Sequence, residues 1–439
     1  MRWYNLYGPV ARRIKGTCSL RAPTGEFSGP FELIQTGDGA LYMQLETTGN
    51  VPAAFRLIQL PISDSEVEIT GQTSDGQPFG AKPFGVTDVS GGVFAAVQRL
   101  TLRISLREAI WGTRTEQPSR SKYGLVNVRF TGNRQKFTPR ALRLFMQFDL
   151  PGEQTVVLRP VPRYKETEQM LRIQQNSALT CFATTSAPAK TMDQLCHMLS
   201  LVQGTIVNWV SREDYSGNRR IRTHLTNRVT RPYSNFHMLN TQEPHVIPRF
   251  VNETWDQFAT AFEDYRLNSI IRLSAFARQG KNTDLEARGI VLGTILDLLA
   301  GTHATKTQTH LRMNKLAFKS GTKVWKPLVE DALRRSYGNR KDISEMLSII
   351  SASLPRTTLG ERLLVLGKEL DIPSIRSDAL RAVKLRNSLI HSASFPRPEE
   401  AIDDLFWLLG FVDRLLLRLV GYRGDHVTYG NAGPVKEAV

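Results

Sequence analysis

The residues best suited to chemistry lie near the C-terminus, at Arg386, Asn387 and His391. On a helix drawn over 375–391 at about 100° per residue, the apolar side chains form one arc and Arg386 falls near its middle. Asn387 and His391 are four residues apart, so they share a face at the edge of that arc. An arginine that faces a core needs a partner, because it cannot lose its charge. The pattern predicts a paired arginine close to an Asn–His couple.

Geometry alone also allows a purely structural interpretation, in which Arg386 forms a buried salt bridge and His391 lies at the negative end of the helix dipole. Other catalytic signatures are missing: the sequence has no GxxxxGK[ST] loop, GxSxG elbow or HExxH pair. Asp64, Glu66 and Glu68 lie on one strand face, a pattern more typical of a solvated surface than of a metal site. We therefore expect no cofactor and no metal.

The run from Arg386 to His391 resembles the R-[N/H/polar]-x-x-x-H signature of HEPN domains, which are α-helical bundles found in many prokaryotic ribonucleases. As in that family, the motif lies on a late helix that is followed by one long apolar helix, here over 401–420. The order of a β-rich region, a short middle region and a helical region resembles the ApeA-like abortive-infection proteins.

This resemblance implies a metal-independent endoribonuclease that acts as an effector of bacterial anti-phage abortive infection. His391 would be the general base or acid at the ribose 2′-hydroxyl, Arg386 would stabilise the scissile phosphate, and Asn387 would orient either group. The implied partners are RNA, with tRNA a candidate, a homodimer or higher homo-oligomer formed through the HEPN domain, and a phage-derived trigger at the N-terminal domain. The alternative is a non-catalytic HEPN module that binds RNA, a nucleotide or a partner protein.

HEPN domains often add an acidic residue from an earlier helix near the arginine, and Glu286 is the candidate in this sequence. The alternative is that Thr283 and Glu286 form a capping box, which needs no catalytic role. Gly289 and Gly293 are four residues apart on the same predicted helix. They indicate close helix contact, and we expect the partner to be the helix that carries Arg386.

The composition favours a polyanionic partner. The 439 residues include 57 Lys and Arg against 41 Asp and Glu, which gives a net charge of +16. Two basic stretches, Arg99–Arg143 and His303–Lys326, are either solvated faces or two parts of one RNA-binding surface. Neither stretch has the interleaved aromatic residues of a stacking platform.

The predicted fold class is α+β and multidomain. Alternating apolar residues over 1–165 predict an antiparallel β-rich domain, closed as a sandwich or barrel. The resemblance to the ApeA-like proteins implies a sensor or regulatory role for this domain. A mixed α/β bridging region follows over 166–250, although this region could instead belong to the first domain. An all-α HEPN bundle covers 251–421, and 422–439 reads as a flexible tail.

The sequence also predicts where the protein works. Its start has no secretory h-region, and its longest apolar run, Leu405–Val412, is too short to span a membrane. The three cysteines form no CxxC pair, which fits a reducing compartment. We expect a cytoplasmic protein without a membrane partner.

Seven helices are predicted in the C-terminal half, over 252–278, 284–300, 324–336, 340–353, 358–370, 375–391 and 399–421.

Overall fold

Antiparallel strands follow the period-two apolar pattern of the N-terminal part, as predicted. Leu100, Leu102, Ile104 and Leu106 are buried on one face of a strand. Twelve strands of the described residues join one sheet: β1 Val10–Ala22, β2 Gly25–Thr36, β3 Leu41–Thr48, β4 Glu68–Thr73, β5 Pro78–Phe94, β6 Val97–Gly112, β7 Arg120–Val126, β8 Met146–Leu150, β9 Gln154–Pro160, β10 Leu179–Thr185, β11 Asn208–Ser216 and β12 Arg219–Leu225.

The structure is a computed structural model. It describes all residues except 1–9, 37–39, 49–50, 60–66, 95–96, 113–119, 127–145, 152–153, 161–178, 186, 217–218, 226–235, 241–242, 244, 280–283, 310–314, 338–342, 354–356, 431–432 and 439. Val128, Phe130, Leu142 and Leu144, for which the sequence predicts strands, lie outside the described residues.

The first six strands form a closed ring in the order β3-β2-β1-β4-β5-β6, because β3 also pairs with β6. Large apolar side chains fill its interior, and the rings of Phe31 and Phe79 stack there with centroids 4.4 Å apart. Helix α1 (Val51–Gln59) adds Ala54 and Leu57 to this core. Of the two closures that the sequence allowed, this half of the sheet has the barrel.

The strands described within the region predicted as a bridge, 166–250, belong to the same sheet. Strand β7 pairs with both β10 and β11, and β12 pairs with the end of β6. Helix α2 (Ala189–Gln203) packs on β11. The chain therefore divides into two units, 1–255 and 256–439, and the bridging strands belong with the first. Alternation within each strand is visible in the sequence, whereas pairing between distant strands is not.

Helices make up most of the second unit, as the sequence predicts. Helix α5 is the central one, because α4, α8, α9 and α10 all pack against it. The helices described after α2 are α3 Val246–Asp264, α4 Leu267–Ala277, α5 Leu285–Lys306, α6 Lys315–Tyr337, α7 Ile343–Ser353, α8 Leu359–Glu369, α9 Ile375–Ser392 and α10 Ala401–Leu419.

The segment predicted as a single helix, 252–278, contains parts of two helices in the structure. Helix α3 ends at Asp264 and α4 begins at Leu267, because Arg266 adopts a left-handed backbone with φ of 53°. The break turns the Tyr265 side chain toward α5, where its hydroxyl contacts His303. No proline or glycine marks this break in the sequence, so the helical periodicity predicts one continuous helix across it.

The last residues, 422–439, were predicted as a flexible tail, and this prediction is wrong. They form a hairpin of β13 (Asp425–Gly430) and β14 (Gly433–Ala438), and β13 packs on α10. The Tyr429 ring contacts that of Phe406, and His426 is fully buried. Two short strands that pair only with each other leave almost no periodic signal in a sequence.

A buried ion pair joins α10 to the end of α4. The Arg278 guanidinium donates to the Asp413 carboxylate, and neither side chain is exposed to solvent. Burial raises the pKa of the Asp413 carboxyl, and Arg278 opposes that shift. Arg288 donates from Nε to the carbonyl oxygen of Ala277 at 2.6 Å. Loss of Arg278 or of Asp413 would leave the other residue as a buried charge without its partner.

A second polar chain links Tyr265, His303 and Glu369. The Tyr265 hydroxyl lies 2.8 Å from His303 Nδ1. On the other side of the ring, His303 Nε2 lies 3.1 Å from Glu369 Oε2, which is ion-pair distance without the alignment of a hydrogen bond. The chain ties the turn after α3 to α5 and α8. Burial lowers the pKa of His303 from its ordinary value near 6.5, and Glu369 acts against that shift.

This lowered pKa predicts a pH-dependent stability. As pH falls through about 6.5, the unfolded chain takes up a proton at His303 while the folded chain does not, so acid favours unfolding. We expect the stability advantage of the wild type over His303→Gln, measured by urea unfolding, to shrink from pH 7.5 to pH 5.5. A difference that is constant or grows toward acid pH would contradict this sign.

Candidate active site on the penultimate helix

Helix α9 places its apolar residues against the bundle and leaves the motif residues toward solvent. Asn387 and His391 are exposed, and Arg386 is partly buried between the two faces. The buried face is narrower than predicted, because Leu380 and Ile390 are 66% and 41% exposed. The buried residues of the helix are Ile375, Ala379, Ala382, Leu385 and Leu389.

The predicted contact at Gly289 and Gly293 is present, and the partner helix is α9. A Cβ added at Gly289 would lie 2.7 Å from Leu389 Cδ1, and one at Gly293 would lie 2.9 Å from Arg386 Cγ. Both distances are too short for carbon atoms, so α5 and α9 approach each other only because these residues lack side chains. The aliphatic part of Arg386 therefore lies directly over the backbone of α5.

One turn after Gly293, Asp297 binds the guanidinium of Arg386. Arg386 donates to Asp297 Oδ2 from Nε at 3.1 Å and from Nη2 at 2.8 Å. It also donates from Nη1 to Asn387 Oδ1 at 3.1 Å. Three of its five N–H groups are thus used, and two remain on a side chain that is 24% exposed. The predicted partner of Arg386 exists, and it orients the guanidinium plane.

His391 lies one turn beyond Asn387, at the last turn of α9. Within the described residues its imidazole forms no hydrogen bond or ion pair. The helix ends at Ser392 because Ala393 adopts a left-handed backbone. Arg386 and His391 are five residues apart, or about 140° around the helix, so a single helix does not direct both at one point.

Glu286, the predicted acidic partner, is not the residue that meets Arg386. It lies eleven residues before Asp297, about 16 Å along the helix axis, and it has no hydrogen bond or ion pair among the described residues. The alternative capping box of Thr283 and Glu286 lies partly outside the described residues. The N-cap of α5 is Asp284, without a side-chain cap bond, and Thr283 lies outside the described residues.

Sequence reasoning missed Asp297, although a signal for it was available. Gly289 and Gly293 define the face of α5 that meets α9, and four residues further along that face is Asp297. The prediction of Glu286 came instead from the resemblance to HEPN domains, which often carry an acidic residue on an earlier helix. Extending the glycine spacing by one turn would have found the correct acid.

Two further arginine–carboxylate pairs hold α9 against α10. Arg381 donates to Asp404 Oδ1 at 2.8 Å and lies 4.3 Å from the centre of the Trp407 ring. Arg414 of α10 donates to Asp378 Oδ2 at 2.8 Å. Arg381 is exposed, and α10 supplies both a carboxylate and an aromatic surface to it.

Most apolar side chains of helix α10 belong to the core of the second unit. Leu405, Leu408, Leu409 and Phe411 are buried within the second unit. Ile402 is an exposed apolar residue of this helix. The surface that α10 could offer to another subunit is therefore small.

The two basic stretches are only partly described. In the first, Arg103 pairs with Asp88 at 2.9 Å, and Arg107 lies over the Phe84 ring. In the second, Lys306 pairs with Asp264. The remaining side chains that the structure describes, Arg99, Arg120, Lys122, Lys323 and Lys326, are exposed. The stretches belong to different units, so a shared RNA surface stays a prediction.

Comparison of the chain with protein-family models, with curated proteins and with solved structures finds no match. None of the helices within the described ranges combines a bilayer-spanning length with a sufficiently apolar composition. The same residues bring no three His, Cys, Asp or Glu side chains together as a group that could hold a metal ion.

The Arg386–Asp297 bond predicts a measurable coupling. Both side chains are partly shielded and share two hydrogen bonds, so a double-mutant cycle of Arg386→Ala and Asp297→Ala should give about 1–2 kcal/mol in urea unfolding. Arg334 and Glu330, an exposed pair at 2.8 Å, serve as the matched control and should give about 0.3–0.5 kcal/mol. Equal coupling in the two pairs would show that Asp297 does not hold Arg386.

Proposed function

We propose that the chain is a metal-independent endoribonuclease of the HEPN type, with its active site on α9. The observation that carries the proposal is the arginine whose guanidinium is fixed by Asp297 and Asn387, on the same helix as an exposed histidine. A fixed guanidinium with two N–H groups to spare suits a phosphate, and an exposed imidazole can take up or give a proton at a substrate. Asp297 is the positioning residue of this site.

The reaction follows from these groups. His391 takes the proton of a ribose 2′-hydroxyl, and the 2′-oxygen attacks the adjacent phosphorus atom. The bond from phosphorus to the 5′-oxygen breaks, and that oxygen receives a proton from a general acid on the side of the phosphate opposite His391. Arg386 donates to the non-bridging oxygens as negative charge grows on them. The products are a 2′,3′-cyclic phosphate and a 5′-hydroxyl.

A second copy of the chain would supply the groups that one helix does not. The angle of about 140° between Arg386 and His391 separates base and phosphate site on a single α9. Exposed Leu380 and Ile390 lie on the same helix and offer apolar area to a two-fold partner. In such a homodimer two histidines and two arginines meet in one cleft, where one histidine acts as base and the other as acid.

The biological role is proposed from the resemblance of the motif and of the domain order. In it, the protein is a cytoplasmic effector of anti-phage abortive infection that cuts RNA, with tRNA a candidate substrate because its loops expose unpaired nucleotides. The β-rich unit would receive a phage-derived trigger.

A second candidate function is a non-catalytic HEPN module that binds RNA, a nucleotide or a protein. The bonds of Arg386 to Asp297 and Asn387 favour this non-catalytic function, because they already use three of its five N–H groups within the chain. The two functions differ in whether the purified protein cuts RNA.

Cleavage of RNA by the purified full-length chain in excess EDTA tests the proposal. His391→Ala should lower the rate about 10²–10⁴-fold, the usual contribution of a general acid or base. Arg386→Ala should also abolish cleavage and should lower the free energy of unfolding more than His391→Ala does. His245→Ala, at another exposed histidine, is the control and should leave the rate unchanged. Full activity of His391→Ala would refute the mechanism, and RNA binding without cleavage would support the second function.

A further inference from the structure

A half-exposed phenylalanine on the barrel is paired with an arginine. Phe84 of β5 is 50% exposed, and the guanidinium carbon of Arg107 on β6 lies 4.9 Å from the centre of its ring. Neither residue belongs to the core that fills the barrel. Half of the ring is open to solvent, so it can make a further contact while Arg107 lies against it.

Two irregularities in strand pairing bring these residues together. Lys82 pairs with Glu108 and Pro83 with Leu106, so Arg107 is an extra residue on β6. The next pair on β5 is Gly85 with Ser105, so Phe84 is an extra residue on that strand. A bulge redirects a side chain away from the regular alternation, and bulges are common beside functional sites. Two adjacent bulges, one on each strand, direct a ring and a guanidinium to the same place.

The surroundings suit an anionic ligand that carries a flat ring. On one side of the pair Lys82 binds Glu108 at 3.0 Å, and on the other Arg103 binds Asp88 at 2.9 Å, so both acids are neutralised by a cation. The Arg107 guanidinium lies beside the ring. Phenylalanine rings and arginine guanidinium planes are the surfaces on which unpaired bases stack.

We propose that Phe84 and Arg107 bind an unpaired base of single-stranded RNA. The base stacks on the open part of the Phe84 ring, and the guanidinium lies alongside, within reach of the base edge or the adjoining phosphate. Duplex RNA is excluded, because its bases are already stacked on one another. The ligand class is taken from the proposed function, but binding in the first unit does not require cleavage in the second.

Fluorescence anisotropy with a 5′-labelled, single-stranded 12-nucleotide adenosine oligomer tests this site. The protein is the full-length chain with His391→Ala, so that the RNA stays intact. Added Phe84→Ala should weaken binding about five- to a hundredfold, as loss of one stacked base does. Phe84→Trp should keep the affinity, which separates stacking from misfolding. Phe55→Ala is the matched control, because Phe55 is also 50% exposed in the same unit, and it should change affinity less than twofold.

Two further measurements separate stacking from charge. Phe84→Ala should leave the slope of affinity against salt concentration unchanged, since no phosphate contact is lost. A blunt duplex of the same length should bind with equal affinity to the Phe84→Ala variant and to the protein that retains Phe84.

The proposal is overturned if the two alanine variants bind the oligomer equally, if the duplex is affected to the same degree, or if the oligomer does not bind at all. The two proposals can also fail separately. If the protein that retains His391 does not cut RNA but Phe84→Ala still weakens RNA binding, the result would support this site and refute the ribonuclease function.

Discussion

The close approach of α5 and α9 at two glycines decides where the motif arginine lies. Leu389 and Arg386 occupy space that a side chain at Gly289 or Gly293 would fill. Because the backbones are so near, the carboxylate one turn further, on Asp297, reaches the guanidinium directly. Helix packing and the arrangement of the candidate site therefore have one cause, and a larger residue at either glycine would move the arginine away from its acid.

Charged pairs then fix the rotation of α9 over most of its length. Each of them joins an arginine to a carboxylate from a neighbouring helix, so α9 cannot turn without breaking several at once. The pairs are Asp378–Arg414, Arg381–Asp404 and Arg386–Asp297. Asn387 and His391 are exposed and lie on a helix whose rotation is fixed by the bundle.

Much of this site could be predicted from sequence, because it depends on local periodicity. The limits of α9 and the need of Arg386 for a partner follow from helical spacing, and so does the contact at Gly293. Its acid, Asp297, was missed although it lies one turn beyond Gly293 on the face of α5 that meets α9, because the acidic residue was assigned from the family resemblance and not from that face. The pairing of Phe84 with Arg107 was out of reach, since it depends on two bulges that no periodic pattern records. The C-terminal hairpin was missed for a similar reason, because its strands are short and isolated.

The central claim is that His391 starts cleavage by taking a proton from a 2′-hydroxyl. The most direct measurement is the chemical nature of the RNA ends produced by the purified chain. The account predicts a 2′,3′-cyclic phosphate on one fragment and a 5′-hydroxyl on the other, because the attacking oxygen comes from the RNA itself. A 5′-phosphate with a free 3′-hydroxyl would mean that water is the nucleophile, and it would contradict the account.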